Sequence, residues 1–234
     1  MGSRRRECGT GRGKLTVEEG LTSLWQDAIE GVIVERSVIM GEKIPTRREA
    51  LELLHQYNQT ESLRKHAYAV EGVMRYIARK RGEDEEKWGI VGLIHDLDYE
   101  RFPDQHCSKT GEILRENGWP EEYIRGAVSH GWGICSDIMP QTALEKVLYA
   151  IDELTGLVVT TALIRPSKSV LDVQVKSVKN KWKDKRFAAG VDRSIIEKGA
   201  EMLGVGLDEL IEDTIRGMQE VAEAIGLQGN PGPS

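Results

Sequence analysis

Residues 142–164 read TALEKVLYAIDELTGLVVTTALI. The stretch is long and strongly apolar, the pattern of a helix buried in a protein interior. Arg165-Pro166-Ser167 breaks it, since proline has no amide hydrogen to donate and its ring clashes with the preceding turn. One residue is out of place. Asp152 has Leu148 four positions before it and Ile151 beside it. An unpaired carboxylate in such a setting costs several kcal/mol, so it needs a cation, and a metal ion is an efficient one.

Working outward, the chain reads as successive helices. Pro45 leads into TRREALELLHQY, with Thr46 and Glu49 in capping-box spacing. Glu61 to Arg81 follows, with Val70, Val73, Met74 and Ile77 at helical spacing and Gly82 as the stop. Asp84 to Asp96, His106 to Asn117 and Pro120 to about His130 complete the part before residue 142. Beyond Pro166 come a basic segment and closing helices over Asp192–Leu203 and Leu207–Ile225. VLDVQV (170–175) is the one strand-like piece, and there is no internal repeat. The expected class is all-α: a single helical bundle with a C-terminal helical extension.

The expected organisation is a helical domain over 40–165, a basic segment and closing helices over 166–226 packed on it, and a turn-rich, frayed tail over 227–234. Residues 1–39 differ from the rest. They carry six basic and six acidic residues and an Arg run, with a candidate helix over 17–34. They read as a flexible extension or as a translated leader with Met40 as the true start. Residues 34–39 can be encoded with a purine-rich GAG-AGG-AG just before that methionine.

Composition narrows the setting. At 234 residues, 39% apolar and 30% charged, the chain is foldable and water-compatible. No stretch reaches the roughly 20 apolar residues of a membrane-spanning helix, and the N-terminus lacks the apolar core of a secretory signal. Three scattered cysteines (Cys8, Cys107, Cys135) argue against a disulfide framework and for a reducing, cytoplasmic setting. The net charge of -6 conceals an uneven distribution. Residues 165–186 hold eight Lys or Arg against two Asp, a local +6.

Only five histidines are present, which makes their positions informative. His66 heads the buried stripe of its helix. His95 and Asp96 end the apolar run GIVGLIHD. Neighbours on a helix point about 100° apart, so both serve one site only near a helix end or beside a cavity. Imidazole nitrogens with carboxylate oxygens suit Zn, Fe, Mn and similar divalent ions. His55 fits no pattern and is assigned to surface or packing.

The order His66, His95-Asp96, Asp152 resembles the HD superfamily of metal-dependent phosphohydrolases. GLIHDLDYERF is similar to that family's apolar-HD segment and LYAIDELTG to its last ligand helix. The resemblance covers residues 46–165. It implies an all-α bundle with the metal between helices, held by His66, His95, Asp96 and Asp152. His106, in HCSKTGEIL, and His130, in IRGAVSHGWG, resemble the positions that supply a second metal in binuclear members, the alternative being that they bind substrate phosphate or cap helix ends. Cys107 departs from the family pattern, standing where proline or a small residue is common. The implied cofactor is one or two divalent ions among Mn, Fe, Co, Ni, Zn and Mg. The implied chemistry is attack on phosphorus by a metal-acidified water, with Asp96 as catalytic bridge.

Asp98 is a further catalytic candidate, as the orienter of a ligand or a water, or else a solvated loop acid. Tyr99 and Phe102 are candidates to wall a pocket or stack a base, with a plain core role as the equal alternative. Lys168, Lys176 and Lys179 are candidate substrate-binding residues if the chain folds back over the site after Pro166, the alternative being a solvated basic face. Cys107 and Cys135 lack a nucleophile's His/Asp spacing, so a thiol enzyme is not expected. Three functions are in view. The first is a phosphohydrolase acting on a nucleotide or another small phosphate ester. The second is a phosphodiesterase on cyclic or oligonucleotide substrates, using the +6 segment with Trp182 and Phe187. The third is a non-catalytic metal- or nucleotide-binding regulatory module. No GYP segment follows the proposed ligands, which weighs against a cyclic-di-GMP enzyme of that kind.

Overall fold

Local signals set the helices, and they fall close to the expected positions. The structure, a computed structural model, describes residues 43–184 and 186–229. Within these, α1 spans Arg47–Tyr57, and Thr46 and Glu49 close the capping box reciprocally. Helix α2 spans Glu61–Arg81 and stops at Gly82, whose φ of 72° is the left-handed conformation that glycine adopts without strain. Helix α3 spans Glu85–Ile94, α4 Ser108–Glu116 and α5 Glu121–Val128. Helix α6, Ala143–Leu163, begins with a second capping box between Thr142 and Glu145. Then come α7 (Val175–Trp182), α8 (Arg193–Leu203) and α9 (Leu207–Glu220). The proposals for residues 1–39 lie outside the described residues.

The fold is all-α. Helix α2 is the hub, packed against α3, α6 and α9, while α6 also carries α8. Val70, Val73, Met74 and Ile77 of α2 are buried, as are Leu148, Ile151, Leu154, Leu157 and Val158 of α6. Glu71, only 3% exposed, sits among these apolar side chains because it accepts from Arg47 Nε at 2.6 Å and Arg75 Nε at 2.9 Å. That bridge fastens α1 to α2, and a buried carboxylate with fewer partners would be strongly destabilising. No described helix is long and apolar enough to cross a membrane.

Three expectations need correction. VLDVQV forms no strand: residues 170–172 are bends and turns, and the segment ends as α7 begins. Its burial comes from Val170 and Val173 packing into the core. The start of the tail is not frayed. Val170 N donates to Leu227 O at 2.8 Å, Ser169 Oγ donates to Gln228 O at 3.0 Å, and Leu227 is buried. The last helix stops at Glu220, five residues short, and continues as turns through Gly226.

Helix α8 lies so close to α6 that a Cβ on Gly199 would come within 2.6 Å of Ala150 Cα. Gly199→Ala therefore forces the two helices apart. Overpacking costs about 1–3 kcal/mol, and alanine's better helix propensity returns under about 1 kcal/mol. The thermal midpoint should fall by about 3–6 °C. A midpoint unchanged or raised in a thermal melt contradicts this close packing.

Candidate metal centre

His66 projects from α2, and Asp152 from the middle of α6. Helix α3 ends at Ile94, two residues before the sequence-based boundary, and the chain turns from His95 onward. This turn is what lets the adjacent His95 and Asp96 address one place. His106 follows the 3₁₀ turn Pro103–Gln105, and His130 lies in the 3₁₀ turn Ser129–Gly131 at the end of α5. All six residues meet.

Their orientation is fixed from behind. His95 Nδ1 lies 2.8 Å from Gly92 O, and His130 Nδ1 lies 2.6 Å from Ala127 O. A carbonyl only accepts, so both Nδ1 atoms carry the hydrogen and donate. His106 Nδ1 donates to Asp98 Oδ1 at 2.8 Å. The Nε2 atoms point inward. His66 Nε2 lies 3.2 Å from His95 Nε2, and His106 Nε2 lies 3.3 Å from His130 Nε2. In neutral His106 and His130, both held with the hydrogen on Nδ1, two lone pairs would face each other. Only a proton or a metal ion reconciles them.

Asp96 divides this set. Its Oδ2 lies 3.3 Å from His95 Nε2 and 3.7 Å from His66 Nε2. Its Oδ1 lies 3.3 Å from His130 Nε2 and 3.6 Å from His106 Nε2. Asp152 Oδ1 joins the first half, 2.9 Å from His66 and 3.5 Å from His95. Asp96 Oδ1 is buried without a hydrogen-bond partner. Donors that share a divalent ion at about 2.1 Å lie about 3.0–3.4 Å apart. The donors present, by type and spacing, fit divalent ions. His66, His95 and Asp96, and separately His106, Cys107 and His130, form compact ligand groups.

Charge dominates the site. Burial opposes charging His95, yet Asp96 and Asp152 hold its pKa well above the ordinary imidazole value. Burial opposes ionising Asp96 as well, but His95 and His130 hold its carboxyl well below the usual range. His106, against burial, is lifted by Asp98 and Cys135 to about 10. The cluster lies on the floor of a cavity of about 380 Å³ that is open to solvent. Tyr99, Ile134, Tyr149, Glu153 and Val191 stand on its walls.

Residues 63–161 match the family model of the HD domain. The chain carries an HD domain. HD-domain proteins form a superfamily of metal-dependent phosphohydrolases, are in general metal-dependent hydrolases, and bind divalent ions. No solved structure matches the chain.

The HD domain does not supply the whole cavity. Gly190, Val191 and Ile195 line it from beyond the matched region, so the chain does return to the site after Pro166. It does not bring the lysines. Lys179 pairs with Asp208 at 2.7 Å, and Lys176 lines a separate groove beside Glu212 and Arg216. Lys168 sits in a turn with φ 49° and is also absent from the cavity wall. Arg165 is engaged by Asp172 at 2.8 Å. Trp182 donates to Glu197, Phe187 lies under Lys181, and neither reaches the cavity. Phe102 is likewise off the wall and packs on the core, with Lys109 over its ring. Asp98 is not a solvated loop acid. It is fully buried, and its other oxygen accepts from Thr110 N at 2.7 Å. His55 is hydrogen-bonded to Tyr68 at an exposed position.

Two features escaped the sequence reading. Glu153, next to Asp152, faces the cavity, and burial together with Asp152 raises its pKa to about 7. Its neighbour in a helix gave a reason to look, but nothing in the chain marked its burial. Cys107 and Cys135 do have a histidine setting: Cys107 Sγ is 4.0 Å from His130 Nε2, and the two sulfurs are 2.6 Å apart. Spacing along the chain could not show a contact made across 28 residues.

A pH dependence follows. Without metal, His106 keeps its proton to about pH 10, well above the unfolded value of about 6.5. Its contribution to the stability of the metal-free chain is fully present below about pH 6.5 and is lost as pH rises through about 10. An ion must displace that proton, so metal binding near pH 8 should release protons and tighten as pH rises. Calorimetric titration in buffers of different ionisation enthalpy measures this. Binding with no proton release contradicts it.

Proposed function

We propose that this protein is a metal-dependent phosphohydrolase that cleaves a phosphate ester of a nucleotide or another small phosphorylated molecule. One observation carries the reading: the two oxygens of Asp96 are divided between two imidazole pairs on the floor of a small-molecule-sized cavity. In this reading His66, His95, Asp152 and one oxygen of Asp96 would hold one divalent ion, and His106, His130 and the other oxygen would hold a second. Bound ions of this kind supply Lewis-acid stabilisation of charge on phosphoryl oxygens and a more acidic water. The mixed N and O donors suit Mn, Fe, Co, Ni or Zn, with Mg less favoured by so many imidazoles.

The protein's own part is positioning. Gly92 O and Ala127 O prevent His95 and His130 from rotating, so their lone pairs stay aimed at the cavity. Asp98 does the same for His106 and acts through it, which makes Asp98 a positioning residue. Asp96 and Asp152 keep their charge at neutral pH because the surrounding imidazoles favour it. Tyr99 stands edge-on to His106, with ring centroids 5.1 Å apart, and is half exposed at the cavity wall. It offers a face on which a nucleobase can stack. A cavity of about 380 Å³ is at the small end of the usual range for small ligands. The basic side chains of 165–179 lie elsewhere, so they give an oligonucleotide substrate no support. The reading includes a reducing, cytoplasmic setting, which suits free Cys107 and Cys135.

The test is phosphate release from a panel of mononucleotides, sugar phosphates and phosphodiesters with Mn, Fe, Co, Ni, Zn and Mg. Asp96→Ala should lower turnover by about 10³-fold or more. Asp98→Asn should weaken metal binding by about 10–100-fold, with activity largely regained at high metal concentration. Unchanged turnover in Asp96→Ala would remove the proposal. Bound metal with no turnover on any ester would favour the non-catalytic regulatory module.

A further inference from the structure

The proposed hydrolysis gives Cys107 and Cys135 no role, and three features of the backbone converge on them. Cys107 Sγ and Cys135 Sγ are 2.6 Å apart as free thiols, so a small movement brings them to the S–S bond length of about 2.05 Å. Cys107 adopts φ 66°, a conformation that a side-chain-bearing residue enters only when its surroundings hold it there. Gly131, which follows His130, lies against both sulfurs. A Cβ at that position would collide with Cys107 Sγ and with Cys135 Sγ, so the contact depends on glycine there. The loop is drawn tight over that glycine, whose carbonyl accepts from Ile134 N at 3.0 Å, Cys135 N at 3.0 Å and Ser136 N at 3.1 Å.

Access differs between the two sulfurs. Cys107 is 1% exposed, whereas Cys135 is half-buried and lines the solvent-open cavity. A small oxidant therefore reaches Cys135 first, with Cys107 waiting behind it.

We propose that Cys107 and Cys135 are a reversible dithiol–disulfide site, oxidised by hydroperoxides that enter through the cavity. The sulfur of Cys135 attacks one peroxide oxygen and the O–O bond breaks. The other oxygen leaves as water, or as an alcohol from an organic peroxide, taking up the thiol proton. Cys135 then holds a sulfenic acid. The sulfur of Cys107 displaces its hydroxyl, which departs as water with the Cys107 proton, and the S–S bond forms. Two thiols lose two electrons in total and the peroxide gains both. The backbone consequence is local. Cys107 follows His106 and Gly131 follows His130, so the new bond ties together the two chain segments that carry these histidines. The site is independent of the hydrolase reading, because its readout is thiol chemistry.

The experiment treats the full chain, metal-loaded and after chelation, with a small excess of hydrogen peroxide. The protein is then denatured, alkylated, digested and mapped by mass spectrometry. The expected result is a Cys107–Cys135 linked peptide within one chain, with loss of two hydrogens from the intact mass and both thiols regained with dithiothreitol. In Cys135→Ser, Cys107 should stay alkylatable after the same treatment. In Gly131→Ala, the linked peptide should fall at least several-fold. Mapping of the unmutated chain stands whether or not either variant folds. Recovery of both cysteines as free thiols after peroxide overturns the proposal. So does separate conversion of each to sulfinic acid, or cross-linking through Cys8 alone. Loss of bound metal in Cys107→Ser, with no linked peptide in the parent, also overturns it and makes Cys107 a metal ligand.

Discussion

Four imidazole nitrogens face one another in pairs at 3.2 and 3.3 Å, with carboxylates of Asp96 and Asp152 between and beside them. Neutral His106 and His130, both held with the hydrogen on Nδ1, would meet lone pair to lone pair, and unpaired carboxylates there would be costly. A cation is therefore part of the arrangement. Protons supply it in the metal-free chain, which is why His95 and His106 hold theirs so firmly. Divalent ions supply it more effectively, since each satisfies several donors at once. The rest of the fold can be understood as the means of holding these donors where they would not otherwise remain.

Several elements share that task. The bundle brings α2 and α6 side by side, which places His66 opposite Asp152. Helix α3 stops at Ile94, so that His95 and Asp96 leave it in a turn. Its last turn contributes a carbonyl, Gly92 O, that locks the His95 ring, and α5 contributes Ala127 O for His130. Asp98 crosses from that turn to the start of α4, where it accepts from both His106 Nδ1 and Thr110 N. The second half of the centre thus hangs on loops and one buried carboxylate, whereas the first half also draws His66 and Asp152 from two long helices. The Cys107–Cys135 contact lies on the loop-held side, where a covalent tie has most to constrain.

Much of this was legible in the chain. Helical periodicity and the Thr46/Glu49 capping box placed the helices to within a few residues, since those signals are local. The six metal-ligand candidates were found because histidine is rare here and because Asp152 is incompatible with an apolar helix unless a cation is near. The same reasoning failed for Lys168, Lys176 and Lys179. Charge counting shows that a segment is basic but not which acids it meets, and Asp208, the partner of Lys179, lies 29 residues further on. VLDVQV misled because its apolar residues alternate, while a neighbouring turn and the returning Leu227 decide its backbone. The cysteine pair was invisible because Gly131, the residue that permits it, resembles any other loop glycine until its neighbours are known.

In the proposed function Asp96 joins two metal half-sites. Anomalous diffraction from crystals of the Mn- or Zn-loaded protein, recorded at the metal edge, tests it most directly. Two peaks are predicted, one between His66, His95 and Asp152 and one between His106 and His130, with an oxygen of Asp96 directed at each. No peak within this cluster, or a single ion held without Asp96, would contradict the claim.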